Sequence, residues 1–108
     1  SISVTAPSNA HLARHAVLES GGFSLTVGDG EIRRAQALMA RTAGVFAEPA
    51  AAAAAAGLAK AATSGKLKRN GRIVLLVTGH GLKDIDAPLA RIVLPQPIPP
   101  RLGAVKGL

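Results

Sequence analysis

The sequence predicts an α/β fold, and three observations carry that prediction. Ile73-Val74-Leu75-Leu76-Val77 is an uninterrupted apolar run that ends in Thr78-Gly79-His80-Gly81, the pattern of a strand buried on both faces. Phe23, Leu25 and Val27 alternate with Ser24 and Thr26, the period-two signature of a half-buried strand. Helical patterns occupy the stretches between these runs, and such an order builds a partial parallel sheet with crossover helices.

Taken in order, Ser1 to Val4 is short and β-leaning, so the chain is expected to start inside an element, as a processed or truncated product would. Pro7-Ser8-Asn9 punctuates it, with Ser8 or Asn9 placed to cap a helix that runs to about Ser20 and ends at Gly21-Gly22. After the strand at Phe23 to Val27, Gly28-Asp29-Gly30 turns the chain, and Asp29 is the expected N-cap of the next helix. That helix carries Ile32, Ala35, Leu38, Met39 and Thr42 on one face and closes at Gly44.

Glu48-Pro49 is a helix entrance, because proline suits the first helical turn and an acidic group there complements the dipole. The alanine run from Ala50 to Ala56 propagates the helix as far as Gly65. High helix propensity and small side chains predict that it is buried and packed tightly on a sheet. A basic turn at Lys66, Lys68, Arg69 and Arg72 leads into the apolar strand. From residue 87 the character changes. Pro95, Pro97, Pro99 and Pro100 favour an extended tail over 87–108 that cannot pair in a central sheet.

Composition narrows the function classes. At 108 residues the chain is expected to form one folding unit. A domain of this size buries only roughly 65% of the surface its unfolded chain exposes, so missing neighbours would be felt. With 48% hydrophobic residues and two phenylalanines as the only aromatics, the interior is built from Ala, Val, Leu and Ile, and disorder is disfavoured. The absence of cysteine excludes a disulfide framework and any thiolate metal site, and it suits a cytoplasmic location. No apolar stretch is long enough to span a membrane. The formal charge of +7 and a pI near 11.3 raise the question of an anionic partner.

Most motifs have an ordinary structural explanation. His11 and His15 lie one helical turn apart, but no third ligand is evident, and a solvated surface accounts for them better than a metal site. The basic turn lacks aromatic interleaving and fits no nucleic-acid-binding pattern, so nucleic acid is disfavoured as a partner. Neither a Gly-x-Gly-x-x-Gly loop nor a Walker pattern occurs.

Thr78-Gly79-His80-Gly81 differs in kind, because α/β sheets place their ligands at the carboxyl ends of strands. Thr78 offers a hydroxyl at the strand tip, and the glycines beside His80 would let the backbone approach a ligand. A plain glycine-rich turn explains the same residues, as dipole stabilisation explains Glu48. No Ser-His-Asp arrangement can be assembled, and no residue is assigned as catalytic.

Three segments in order carry a resemblance: Ser20-Gly21-Gly22-Phe23, Gly44-Val45-Phe46-Ala47-Glu48-Pro49-Ala50 and Thr78-Gly79-His80-Gly81-Leu82-Lys83-Asp84. They are similar to the C-terminal third of threonine synthases, pyridoxal-phosphate enzymes of the tryptophan-synthase-like fold type, known as fold type II. The resemblance covers roughly residues 1–86, and it implies that these form the C-terminal part of such a catalytic domain. It further implies that the Thr78 hydroxyl serves the pyridine nitrogen of pyridoxal phosphate, that Glu48 lies near the ring, and that Gly79 and His80 line the same wall. The implied reaction converts O-phosphohomoserine and water to threonine and phosphate.

The departures matter equally. In this family the Schiff-base lysine, the asparagine near the cofactor hydroxyl and the glycine-rich phosphate cup lie upstream, and none is present here. Lys60 and Lys83 do not match the catalytic lysine, so the chain is expected to be inactive alone and to hold the cofactor only as part of a longer parent. The expected partner is the missing N-terminal catalytic part, or a second copy joined through exposed sheet edges. Two other readings stand beside this one. One is a stand-alone binding or regulatory module of the same fold. The other is a fragment of a sister enzyme such as a threonine dehydratase or cysteate synthase.

Overall fold

Helix formation is governed locally along this chain, and its stop and start signals act where the sequence places them. The structure is a computed structural model that describes residues 2–68, 70–90 and 92–106. Helix α1 spans Ala10–Glu19, follows Asn9 as N-cap without a side-chain cap bond, and ends before Gly21, which takes φ +65°. Helix α2 spans Asp29–Ala43 and helix α3 spans Pro49–Thr63. A 3₁₀ turn at Gly81–Lys83 and two single-turn helices, α4 at Asp86–Leu89 and α5 at Leu102–Val105, complete the regular structure among the described residues.

The N-cap of α2 is Gly28 and not Asp29, which is the first helical residue. The Glu31 carboxylate accounts for the shift, since it reaches back to accept the Gly28 N–H at 2.7 Å. The Gly28 carbonyl accepts from Glu31 N and Ile32 N at 2.9 and 3.0 Å. At the other end Gly44 stands at φ +66°, a left-handed conformation that costs other L-residues about 1–2 kcal/mol. A Gly44→Ala variant is therefore expected to lose about 1 kcal/mol of stability, read as a lower midpoint in thermal unfolding by circular dichroism. Apart from Gly44 itself and its two chain neighbours, nothing lies within 4 Å of where the new methyl would sit, so the loss measures backbone strain.

The core is the contact of α2 with α3. Ile32 and Ala35 of α2 meet Ala51, Ala52 and Ala56 of α3, with Ala47 beside them, all buried, and Val27, Met39, Ala53 and Ala55 pack around this cluster. The alanine-rich helix is thus packed tightly, as the small side chains require, but on a helix and not on a sheet. Within the anticipated apolar face of α2, Ile32, Ala35 and Met39 turn inward, whereas Leu38 and Thr42 are exposed and the Thr42 hydroxyl donates to the Leu38 carbonyl at 2.8 Å.

The expected parallel sheet is not formed among the described residues. Ile2–Val4, Phe23–Val27 and Ile73–Val77 carry no strand, and Ser1 lies outside the described residues. One isolated antiparallel bridge, Ala47 with His80, is the pairing present. The physical reason is that strand hydrogen bonds are made with another segment and never within one. Phe23 and Leu25 lie with Ile73, Val74 and Leu75 around one open hollow beside Ala53, Ala54 and Gly57 of α3, so the two apolar segments share a neighbourhood without forming a ladder. Their apolar content is left in the open, with Val74 90% and Leu76 73% exposed.

The radius of gyration is 18.7 Å, whereas a compact chain of this length has about 13 Å. The described chain therefore surrounds its small helical core loosely. Residues 92–99 of the proline-rich tail carry no regular structure, Val93 is 93% exposed, and α5 follows near the end. Among the described residues no helix is long and apolar enough to cross a membrane.

Candidate functional site

The site is built where the segment entering α3 crosses the segment that follows the apolar run. Pro49 occupies the first turn of α3, and Glu48 stands before it in extended conformation at φ −67° and ψ 162°, with its carbonyl accepting from Ala52 N at 2.9 Å. This extended entry runs antiparallel to Gly79-His80-Gly81. Glu48 N donates to the Gly79 carbonyl at 3.0 Å, and Gly81 N donates to the Phe46 carbonyl at 2.8 Å. Gln36 of α2 fixes the entry from below, its buried Nε2 donating to the Ala47 carbonyl at 2.7 Å. A helix, a helix entrance and a loop are thereby held to one another.

Side chains complete the junction. A Cβ built on Gly79 would overlap the Glu48 carboxylate, and one built on Gly81 would stand 2.6 Å from Phe46 Cε1 and Cζ. The glycines beside His80 therefore admit neighbouring side chains of the same chain. The Phe46 and His80 rings meet edge to face with centroids 5.8 Å apart. His80 Nδ1 accepts from Leu82 N at 3.1 Å and caps the 3₁₀ turn, so a neutral imidazole carries its proton on Nε2. At the end of the turn, Lys83 Nζ lies 2.9 Å from Glu48 Oε2.

The four residues singled out in the sequence are thus neighbours, although they do not all face one way. Thr78, Gly79 and His80 line an open hollow together with Gly44, Val45, Phe46 and Val77. Glu48 is not among the residues lining that hollow; its carboxylate lies against Gly79 and is only 14% exposed. The Thr78 side chain is exposed, and its hydroxyl makes no hydrogen bond among the described residues. Among the described residues no cluster of three metal-ligating side chains occurs, and His15 pairs with Glu19 at 3.5 Å on the open surface of α1. Sequence reasoning missed Gln36, Phe46 and Lys83 as builders of the junction. For Gln36 a signal existed, since it is the polar residue directly after the inward-facing Ala35.

Comparison with known proteins gives this junction a family. Residues 1–79 match the family described as pyridoxal-phosphate dependent enzyme. A threonine synthase of Methanocaldococcus jannaschii is 49% identical over 83 residues, covering 77% of this chain and 20% of that protein. One from Mycobacterium tuberculosis is 42% identical over 98 residues, or 91% of this chain and 27% of that protein. One from Halalkalibacterium halodurans is 40% identical over 106 residues, or 94% of this chain and 30% of that protein, a share that carries the match past Ala87. The chain thus spans between a fifth and just under a third of the length of these relatives. With its glycine-tipped segment seated against the entry to α3 and its matched residues covering most of its length, this chain belongs to the pyridoxal-phosphate dependent enzyme family.

Proposed function

We propose that this chain is the C-terminal part of a cytoplasmic threonine synthase and supplies one wall of its cofactor site. The observation that carries the reading is the crossing of Phe46–Glu48 with Gly79–Gly81, which leaves the Thr78 hydroxyl exposed and without a protein partner among the described residues. The donor chemistry fits the ring end of pyridoxal phosphate. A hydroxyl can donate to a pyridine nitrogen, and neither a carboxylate nor a lysine lines the hollow with it.

When bound, the cofactor supplies an electron sink for carbanions formed next to the substrate amine. The part played by this chain is to orient and to set charge. Thr78 would hold the ring nitrogen through a neutral group, which does not keep that nitrogen firmly protonated as a carboxylate would. Phe46 and His80 give the hollow a stiff edge-to-face floor, and Gln36 keeps the segment beneath it from sliding. Lysine chemistry and the phosphate cup belong to the remainder of the enzyme. We take that remainder, and not a second copy of this chain, to cover the exposed runs at Ile73–Val77 and Ile92–Leu94 and to provide the neighbours with which Phe23–Val27 and Ile73–Val77 pair as strands.

The test is release of phosphate from O-phosphohomoserine by the full-length protein that carries this sequence, compared with the chain alone. The expected result is turnover and a bound-cofactor absorbance band for the full-length protein, with neither for the chain alone. A full-length protein that leaves this substrate intact would overturn the activity. A gene product of only these residues would overturn the reading as a severed wall.

A further inference from the structure

Lys83 and Glu48 form the closest ion pair among the described residues, at 2.9 Å, and its placement is unusual in one respect. Glu48 stands directly before α3, yet its side chain makes no cap hydrogen bond to that helix. An acidic side chain at a helix entrance ordinarily turns toward the free amides of the first turn. Here the carboxylate turns away, fills the space left by the absent Cβ of Gly79, and meets Lys83 from the far side of the 3₁₀ turn.

We propose that Lys83 is a positioning residue that clamps Glu48 over Gly79 and so fixes the Thr78–His80 segment against the entry to α3. Four links close a ring. Lys83 is joined through the turn to His80, with Lys83 N donating to the His80 carbonyl at 3.1 Å. His80 is bridged to Ala47, and Ala47 is adjacent in sequence to Glu48, which returns to Lys83. Loosening the ion pair frees the carboxylate to leave Gly79 and weakens the pairing on either side of it. The pair has a second effect, since Lys83 offsets the charge of a largely buried carboxylate beside Gly79, the residue next to Thr78 in sequence. The wall then presents a neutral hydroxyl without an uncompensated anion behind it. The consequence for the cofactor rests on the reading given under Proposed function; the clamp itself rests on the geometry.

The experiment compares Lys83→Met, Lys83→Arg and the unsubstituted full-length protein by amide hydrogen exchange at Glu48 and Gly81 and by the absorbance of added pyridoxal phosphate. A pair with one well-exposed partner is modest in strength. Lys83→Met is therefore expected to speed exchange at both amides about fivefold, weaken cofactor binding by a similar factor and shift its absorbance band, while Lys83→Arg restores all three. Unchanged exchange and an unchanged band in Lys83→Met would overturn the clamp. Faster exchange in a protein that binds no cofactor even when unsubstituted would support the clamp and overturn the cofactor reading instead.

Discussion

Replacing Gly81 by alanine is expected to cost about 2–3 kcal/mol of stability, a large loss for the addition of one methyl group. The added Cβ would stand 2.6 to 2.7 Å from three atoms of the Phe46 ring, well inside the about 3.5–4.0 Å at which carbon atoms attract. Gly81 is buried, and its amide donates to the Phe46 carbonyl at 2.8 Å. The glycine therefore cannot back away without breaking the bond that joins the two segments. The ring is held by its edge-to-face contact with His80, so its escape gives up that contact as well. Thermal unfolding by circular dichroism measures the loss. Loss of the bridge would appear as faster hydrogen exchange at the Glu48 amide. A variant as stable as the parent would mean that the ring has room to turn aside, and the close packing of this junction would then have no energetic consequence.

The second large effect is expected at Ala52. Its side chain is fully buried between α2 and α3, where methyl groups from α3 allow the helices to approach closely. Leucine there adds three carbons at a position with no exposed surface and forces the helices apart, at a cost of about 3 kcal/mol. Because this helix pair supplies most of the main core, the expected outcome is loss of the cooperative unfolding transition. Ala50→Leu is the matched control, since Ala50 is exposed on the same helix and both residues gain the same side chain. Equal melting of the two variants would contradict the helix contact as the source of stability.

Both predictions concern the support of the candidate site. Ala52 is one turn from Glu48, and its amide donates to the Glu48 carbonyl; Gly81 is two residues from Gly79. The core and the site therefore share their supports, and a substitution that separates the helices also moves the entry to α3. Cofactor binding in the full-length protein is expected to weaken in parallel with stability for Ala52→Leu.

The parts of this molecule legible in its sequence are those decided by neighbours along the chain. Gly21, Gly44 and Gly65 all stand at positive φ, where their positions in the sequence suggested helix ends, because a left-handed residue after a helix is a local requirement. Pro49 opens α3 for an equally local reason. The resemblance carried by the ordered motif segments was also legible in the sequence, and the match of residues 1–79 to the pyridoxal-phosphate dependent enzyme family agrees with it.

Other properties required the folded arrangement, because they depend on residues far apart in sequence. Alternation in Phe23–Val27 and continuity in Ile73–Val77 state which residues would suit a strand. A strand, however, exists only when another segment meets its amides and carbonyls, and here none does among the described residues. The same distinction applies to the glycines of the Thr78–Gly81 motif. Sequence determined that no side chain stands at Gly79 and Gly81, while only tertiary structure decided that the Glu48 carboxylate and the Phe46 ring occupy those spaces. It likewise turned Glu48 from a helix-dipole partner into the far end of an ion pair with Lys83, since the direction of a long flexible side chain is set by the charge and volume that folding brings beside it.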